Sequence, residues 1–140
     1  MNHSDRDPTL PWTRPDLDAL QQRLLEARRL LAAFPEPPDH PCLLRRAPNA
    51  EPESVEALPL AGEVIVGRKG DGPFAVPDDA LLSARHFRLV VGPEGVCYAE
   101  DLDSTNGLWI NGRRVRQRLL VHGDLIRAGH QEFVFHHAAA

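Results

Sequence analysis

The sequence predicts an all-β sandwich preceded by one N-terminal amphipathic helix, and three observations carry that prediction. From Cys42 onward the apolar residues come in short runs separated by Gly, Pro, Asn and Asp, the rhythm of strands joined by turns. Two Asn-Gly pairs, Asn106-Gly107 and Asn111-Gly112, bracket Leu108-Trp109-Ile110 in a turn, strand, turn pattern. Only over residues 15–34 does the apolar spacing change to three and four, which sets Leu17, Leu20, Leu24, Ala27, Leu31 and Phe34 along one stripe of a helix.

The chain has 140 residues and 42% hydrophobic content, enough for one domain with an appendage. A net charge of -4 argues against nucleic-acid binding by counterion release, so any anion must be caught locally. Of the 16 basic residues only Lys69 is a lysine, a skew that fits a GC-rich coding sequence and an expected bacterial source. Cys42 and Cys97 lie far apart with no CxxC pairing, which predicts free core thiols and neither a disulfide framework nor a zinc site. No apolar run approaches the roughly 20 residues of a spanning helix, and the polar start lacks a signal-peptide core. A soluble, cytoplasmic protein with no membrane contact is expected.

Residues 1–14 are polar, broken by Pro8 and Pro11, and read as a flexible tail. The helix follows over residues 15–34, with Thr13 and Asp16 resembling a capping box, and Arg28 and Arg29 suiting its C-terminal end. Its stripe must bury against something, and packing on its own domain or self-association both remain open. Pro35, Pro37 and Pro38 make residues 35–40 a proline-rich hinge, and the sandwich occupies residues 41–136. Strands are expected at residues 42–46, 55–60 and 63–66, the last ending at Gly67-Arg68, where glycine frees the backbone to turn. Residues 69–82 form a surface loop holding one extended piece, Phe74-Ala75-Val76. Ser83-Ala84-Arg85-His86 opens a half-buried strand at residues 87–91, and the turn Pro93-Glu94-Gly95 leads to another at residues 96–99. Arg113, Arg114, Arg116 and Arg118 crowd around Val115, which reads as a solvated hairpin edge protected by charge. Strands at residues 125–127 and 132–135 close the domain, and residues 137–140 are expected to be disordered.

The loop between the strand at residues 96–99 and Leu108 carries the chemistry. Ser104, Thr105 and Asn106 can each present a donor beside backbone N–H groups, the arrangement that holds an oxyanion or a phosphate without metal or catalysis. Three pieces in this order, Gly67-Arg68, Ser83-Ala84-Arg85-His86 and Asp101 to Gly107 followed by Asn111-Gly112, resemble the forkhead-associated (FHA) domain, a β-sandwich that binds phosphothreonine peptides. The resemblance covers roughly residues 41–135. It implies that Arg68 grips the phosphate with its planar fork, that Ser83 and Thr105 complete the shell, and that Asn106 bonds the ligand backbone. Arg85 is implied either at the phosphate or at the ligand flank. His86 is implied to brace the loop from within, while Gly67, Gly107, Asn111 and Gly112 shape the backbone. The implied partner is a phosphothreonine-containing protein marked by a Ser/Thr protein kinase, with no catalytic residue, cofactor or metal.

Leu108 stands where many family members have threonine, and Ala84 where others carry a polar side chain. The loop ahead of Ser83 commonly reads the third residue after the phosphothreonine; Leu81 hints at an apolar preference, Asp78 and Asp79 at a basic one. A structural domain with an idle phosphate site, acting through its helix, is the alternative class. Enzymatic sets built from Ser83, His86 and Asp103, or from His122, Asp124, His136 and His137 as metal ligands, lack a nucleophile elbow or a recognised ligand spacing. Thr9 and Thr13 are candidate phosphosites through which the tail would occupy its own site.

Overall fold

Alternating apolar residues build two antiparallel sheets in the computed structural model, which describes residues 14–32, 40–46 and 55–137. Helix α1 spans Arg14–Ala32, and the strands are β1 Cys42–Arg46, β2 Val55–Pro59, β3 Glu63–Val66, β4 Phe87–Val91, β5 Cys97–Asp101, β6 Leu108–Ile110, β7 Arg113–Val115, β8 Gln117–Leu119, β9 Leu125–Ala128 and β10 Gln131–His136. One sheet has the order β2-β1-β10-β9-β6-β7 and the other β3-β4-β5-β8. The expected β-sandwich with one N-terminal helix is what the chain forms.

Period-two alternation sorts the side chains between faces. Phe87 and Leu89 of β4, Cys97 and Ala99 of β5, Leu108 and Ile110 of β6, and Phe133 and Phe135 of β10 all point into the core between the sheets. On the outer face of the six-stranded sheet, Cys42, Leu44, Leu125 and Val134 form a second apolar cluster with Ala27 and Leu30 of α1. Burial on both faces explains why residues 42–44 and 133–135 are continuously apolar where β4 and β5 alternate.

The helix therefore packs on its own domain. Ala27 and Leu31 of the expected stripe meet the sheet, but the line is shifted: Leu30 is buried there too while Leu24 is 38% exposed, and Arg23 pairs with Glu132 at 3.2 Å. The helix is described over Arg14–Ala32, and residues 33 and 34 of the expected span lie outside the described residues. Thr13, Phe34 and the proline hinge lie outside the described residues. A groove of about 450 Å³ remains between α1 and the sheet, lined by Arg23, Glu26, Leu30, Arg45, His130 and Gln131 among others.

The exposed arginines of residues 113–116 lie on and just after β7, the edge strand of the β6–β7 hairpin, and the chain changes sheets at Arg116 so that β8 closes the edge of the four-stranded sheet. The two-residue turn at Asn111-Gly112 fixes the register Ile110↔Arg113, which exhausts the pairing of β6 by Val115. Two further expectations are corrected. The piece at residues 74–76 is not simply extended; Gly72–Phe74 forms a 3-10 turn that buries Phe74, and Ala75 makes a parallel bridge to Gly67. The last strand runs to His136 and His137 is buried, one residue beyond the expected domain edge. No helix among the described residues is long and apolar enough to cross a membrane.

Candidate functional site

Three loops leave the same end of adjacent strands. The register pairs Val66 with Phe87 and Phe87 with Asp101, so the segment after β3, the segment before β4 and the segment after β5 emerge side by side. Backbone bonds tie the first two: Arg68 N–H donates to Ser83 O at 3.1 Å and Lys69 N–H to Ala84 O at 2.9 Å. Gly67 is needed there for room and not for its φ. A Cβ on Gly67 would meet Ala84 O and would lie 2.7 Å from Ser83 O, so any side chain would force the two loops apart.

His86 holds the second and third loops together. It is 0% exposed; its Nδ1 accepts the Ser83 backbone N–H at 3.1 Å and its Nε2 lies 2.7 Å from Gly107 O. An imidazole carrying its proton on Nε2 satisfies both contacts. Ser83 Oγ accepts the Thr105 N–H at 3.1 Å, which leaves the hydroxyl hydrogen to donate elsewhere. Asn106 Nδ2 donates to Leu81 O at 2.9 Å and so bridges the same two loops at the surface.

These bonds bring Arg68, Ser83, Arg85, Thr105 and Asn106 to one end of the sandwich. Arg68, Arg85, Thr105 and Asn106 are exposed, Ser83 half-buried, and neither arginine has an ion-pair partner among the described residues. Guanidinium groups on the segment that carries Ser83 and on the segment bonded to it, unpaired among the described residues, offer an anion charge-assisted bonds without displacing an internal carboxylate.

Ser104 does not join them. It is buried, its Oγ donating to Asp101 Oδ1 at 2.6 Å and accepting the Gly107 N–H at 3.0 Å, so the hydroxyl closes the turn from inside. Asp103 takes φ 55° and Gly107 φ 88°, the left-handed conformations that this turn requires. Asn111 and Gly112 take φ 51° and 81°, and the Asn111 side chain is spent internally on Asp124 Oδ1 and the Leu125 N–H.

Asp79 is the residue that sequence reasoning misplaced. It is buried and cannot read a ligand: Oδ1 accepts the Leu81 N–H at 3.0 Å and faces His130 Nδ1 at 3.0 Å, while Oδ2 accepts the His130 N–H at 2.8 Å and Gln131 Nε2 at 2.9 Å. Burial alone would raise its carboxyl; the hydrogen bonds from Gln131, His130 and Leu81 outweigh that and hold it below the usual carboxylate range. Asp79 thus anchors the loop whose Leu81 carbonyl receives Asn106. Apart from Leu81, its partners lie 51 and 52 positions away, so its burial is not marked locally in the sequence. Asp78 and Leu81 remain exposed, and a depression of about 200 Å³ lined by Val76, Asp78, Asp79, His130 and Gln131 sits beside them.

The enzymatic sets do not assemble. His86 holds the backbone of Ser83 and not its hydroxyl, and its other nitrogen is engaged by Gly107 O. Asp124 is occupied by Asn111 and the Val121 N–H, and no group of three or more His, Cys, Asp or Glu among the described residues is placed to hold a metal. Cys42 and Cys97 are free and buried, and burial pushes the Cys97 thiol up to about 12.

A sandwich whose one end gathers these loops is the architecture of the FHA domain, and the FHA domain model matches residues 64–129. The chain belongs to the FHA domain family. It is 38% identical over 73 residues to the FHA domain-containing protein FhaA of Mycobacterium tuberculosis, covering 52% of this chain and 14% of that protein. It is 35% identical over 74 residues to the ABC transporter ATP-binding/permease protein Rv1747 of the same organism, covering 53% and 8%. The chain therefore spans only a small part of the curated relatives it matches. Among solved structures it resembles an FHA domain from a study of phosphothreonine-dependent interactions, with 30% identity, a TM-score of 0.57 and coverage of 71% of this chain and 99% of that one. It likewise resembles the FhaA FHA domain complexed with the intracellular domain of Rv3910, with 32% identity, a TM-score of 0.54 and coverage of 67% and 98%.

Proposed function

We propose that the chain is a phosphothreonine-peptide-binding adaptor in Ser/Thr-kinase signalling. Arg68, Ser83 and Thr105 hold the phosphate, Asn106 holds the peptide backbone, and Arg85 adds charge at the phosphate or the ligand flank. The observation that carries this reading is that the loops bearing Arg68, Ser83, Arg85, Thr105 and Asn106 are tied together at one end of the sandwich, with neither arginine ion-paired among the described residues. A phosphothreonine brings about one and a half to two negative charges and three acceptor oxygens, which call for a cation and several oriented donors. The relatives support the same reading, since one is described by its phosphothreonine-dependent interactions and another is complexed with an intracellular domain.

The adaptor acts without catalysis, inside the cytoplasm, on a protein phosphorylated by a Ser/Thr kinase. Assembly through the helix is the weaker reading, because Ala27 and Leu30 are already covered by the chain's own sheet. The candidate phosphosites Thr9 and Thr13 lie outside the described residues. Fluorescence anisotropy against degenerate phosphothreonine, phosphoserine and unmodified peptide pools tests the proposal. Micromolar binding confined to phosphothreonine and lost in Arg68→Ala is expected; equal binding to the unmodified pool, or none to any pool by a folded protein, would overturn it.

A further inference from the structure

Next to the Asn106 loop, the outer face of the six-stranded sheet carries side chains that the phosphate site does not use. Trp109 pairs across β6 and β7 with Arg114 and across β6 and β9 with Arg127. Because Leu108 and Ile110 point into the core, these three lie in a row on the opposite face. The row begins at the site itself. The Trp109 indole N–H donates to Asn106 O at 3.1 Å, and Arg114 lies across Gly107, where an added Cβ would stand 2.5 Å from its Nε and 2.9 Å from its Cζ. Glycine at 107 therefore serves the turn and also makes room for a guanidinium one residue from Asn106.

The charge on β7 is not compensated locally, whereas Arg127 has Glu132 directly across β9 and β10. Arg113, Arg114 and Arg116 are exposed and have no ion pair among the described residues, while Arg118 approaches Asp124 at 3.6 Å. Half-buried Arg127 is held below the usual arginine range by burial first and by the Arg23 charge second, with Glu132 opposing. In a chain of net charge -4, the cationic edge at Arg113, Arg114 and Arg116 beside the site is a local inversion of sign. Edge protection accounts for charge on β7. It does not require Arg114 to turn back over the recognition loop.

We propose that Trp109, Arg114 and Arg127 extend the peptide site into a docking surface for acidic residues flanking the phosphothreonine of the same ligand, a reading that rests on phosphothreonine recognition at Arg68. The flat indole face covers the aliphatic part of an Asp or Glu side chain, and the guanidinium groups on either side meet its carboxylate.

The test compares phosphothreonine peptides carrying glutamates on the N-terminal flank, glutamates on the C-terminal flank, lysines on either flank, or neutral residues throughout. Anisotropy is read at low and raised salt for the wild type, Arg114→Gln and Arg114→Glu. One acidic-flank peptide is expected to bind the wild type about three- to fivefold tighter than the neutral peptide at low salt, an advantage that shrinks as salt screens it. The ratio of acidic-flank to neutral affinity falls to about one in Arg114→Gln and inverts in favour of lysine in Arg114→Glu. Neutral-flank binding with no acidic advantage on either side, or an advantage equal in all three proteins, would overturn the surface alone. Absence of binding by every phosphopeptide would overturn the phosphothreonine reading, and the surface with it.

Discussion

The two Asn-Gly turns stand at opposite ends of the short strand β6, and the same dipeptide does opposite work in them. Asn111 sits at φ 51° and spends its amide on Asp124 at 2.8 Å and on the Leu125 N–H at 2.9 Å. Asn106 is exposed and outside the left-handed region; it gives one bond to Leu81 O at 2.9 Å, and its Oδ1 has no partner among the described residues. Ser104 and Ser83 divide in the same way, the first closed inward on Asp101 and the second holding Thr105 with its hydroxyl hydrogen to spare. So do Asp79, whose oxygens are filled, and the exposed Asp78. Residue type does not separate scaffold from site; the number of hydrogen-bonding positions already satisfied internally does.

The sharpest break in this comparison is at Arg68. Arg68→Ala should lower phosphopeptide affinity a hundredfold or more, from the loss of about two charge-assisted bonds of roughly 1.5 to 3 kcal/mol each, while stability stays within about 0.5 kcal/mol. Anisotropy and chemical denaturation on the same preparation read both numbers.

Asp79→Asn reverses the pattern by striking the scaffold. An amide cannot accept from all four donors, so buried N–H groups lose their partner and urea denaturation should report a loss of about 2 to 3 kcal/mol. Because the folded carboxyl lies below the ordinary range, its contribution to stability is complete above the unfolded value of about 3.9 and is lost as pH falls through the lower folded value. Acid titration of the variant should lack that component. Leu30→Ala, under the helix, should cost about 2 kcal/mol with phosphopeptide affinity unchanged, since its contacts are Cys42, Leu44, Leu125 and Val134, away from the loops.

The smallest effects separate the two asparagines. Asn111→Ala should destabilise by about 1 to 2 kcal/mol, through two lost internal bonds and a left-handed φ, and leave affinity alone. Asn106→Ala should change stability by less than about 0.5 kcal/mol and weaken the phosphopeptide several-fold. Equal behaviour of the two variants in both assays would dissolve the distinction between scaffold and site.

The sequence made the sandwich legible because β4, β5 and β6 alternate and the Asn-Gly turn fixes its own register. It made the family legible because Gly67-Arg68, Ser83 to His86 and the loop from Asp101 each stand at a strand end. What it could not convey was long-range partnership. The face that α1 presents was misread at Leu24 and Leu30 because the sheet, not the helix, decides which of two adjacent apolar lines is covered. Asp79 passed for a ligand reader because His130 and Gln131 belong to another strand connection, and Ser104 for a donor because Asp101 draws it inward. The passage from β7 to β8 across the two sheets was not legible because a change of sheet leaves no periodic mark.

Mapping amide chemical shifts on uniformly labelled protein during titration with a phosphothreonine peptide tests the central claim most directly. The account predicts concentrated shifts at Arg68, Ser83, Thr105 and Asn106, none at Asn111 or Leu125, and none anywhere with the unphosphorylated peptide. Shifts centred away from the Arg68 loop, or identical shifts with the unphosphorylated peptide, would contradict it.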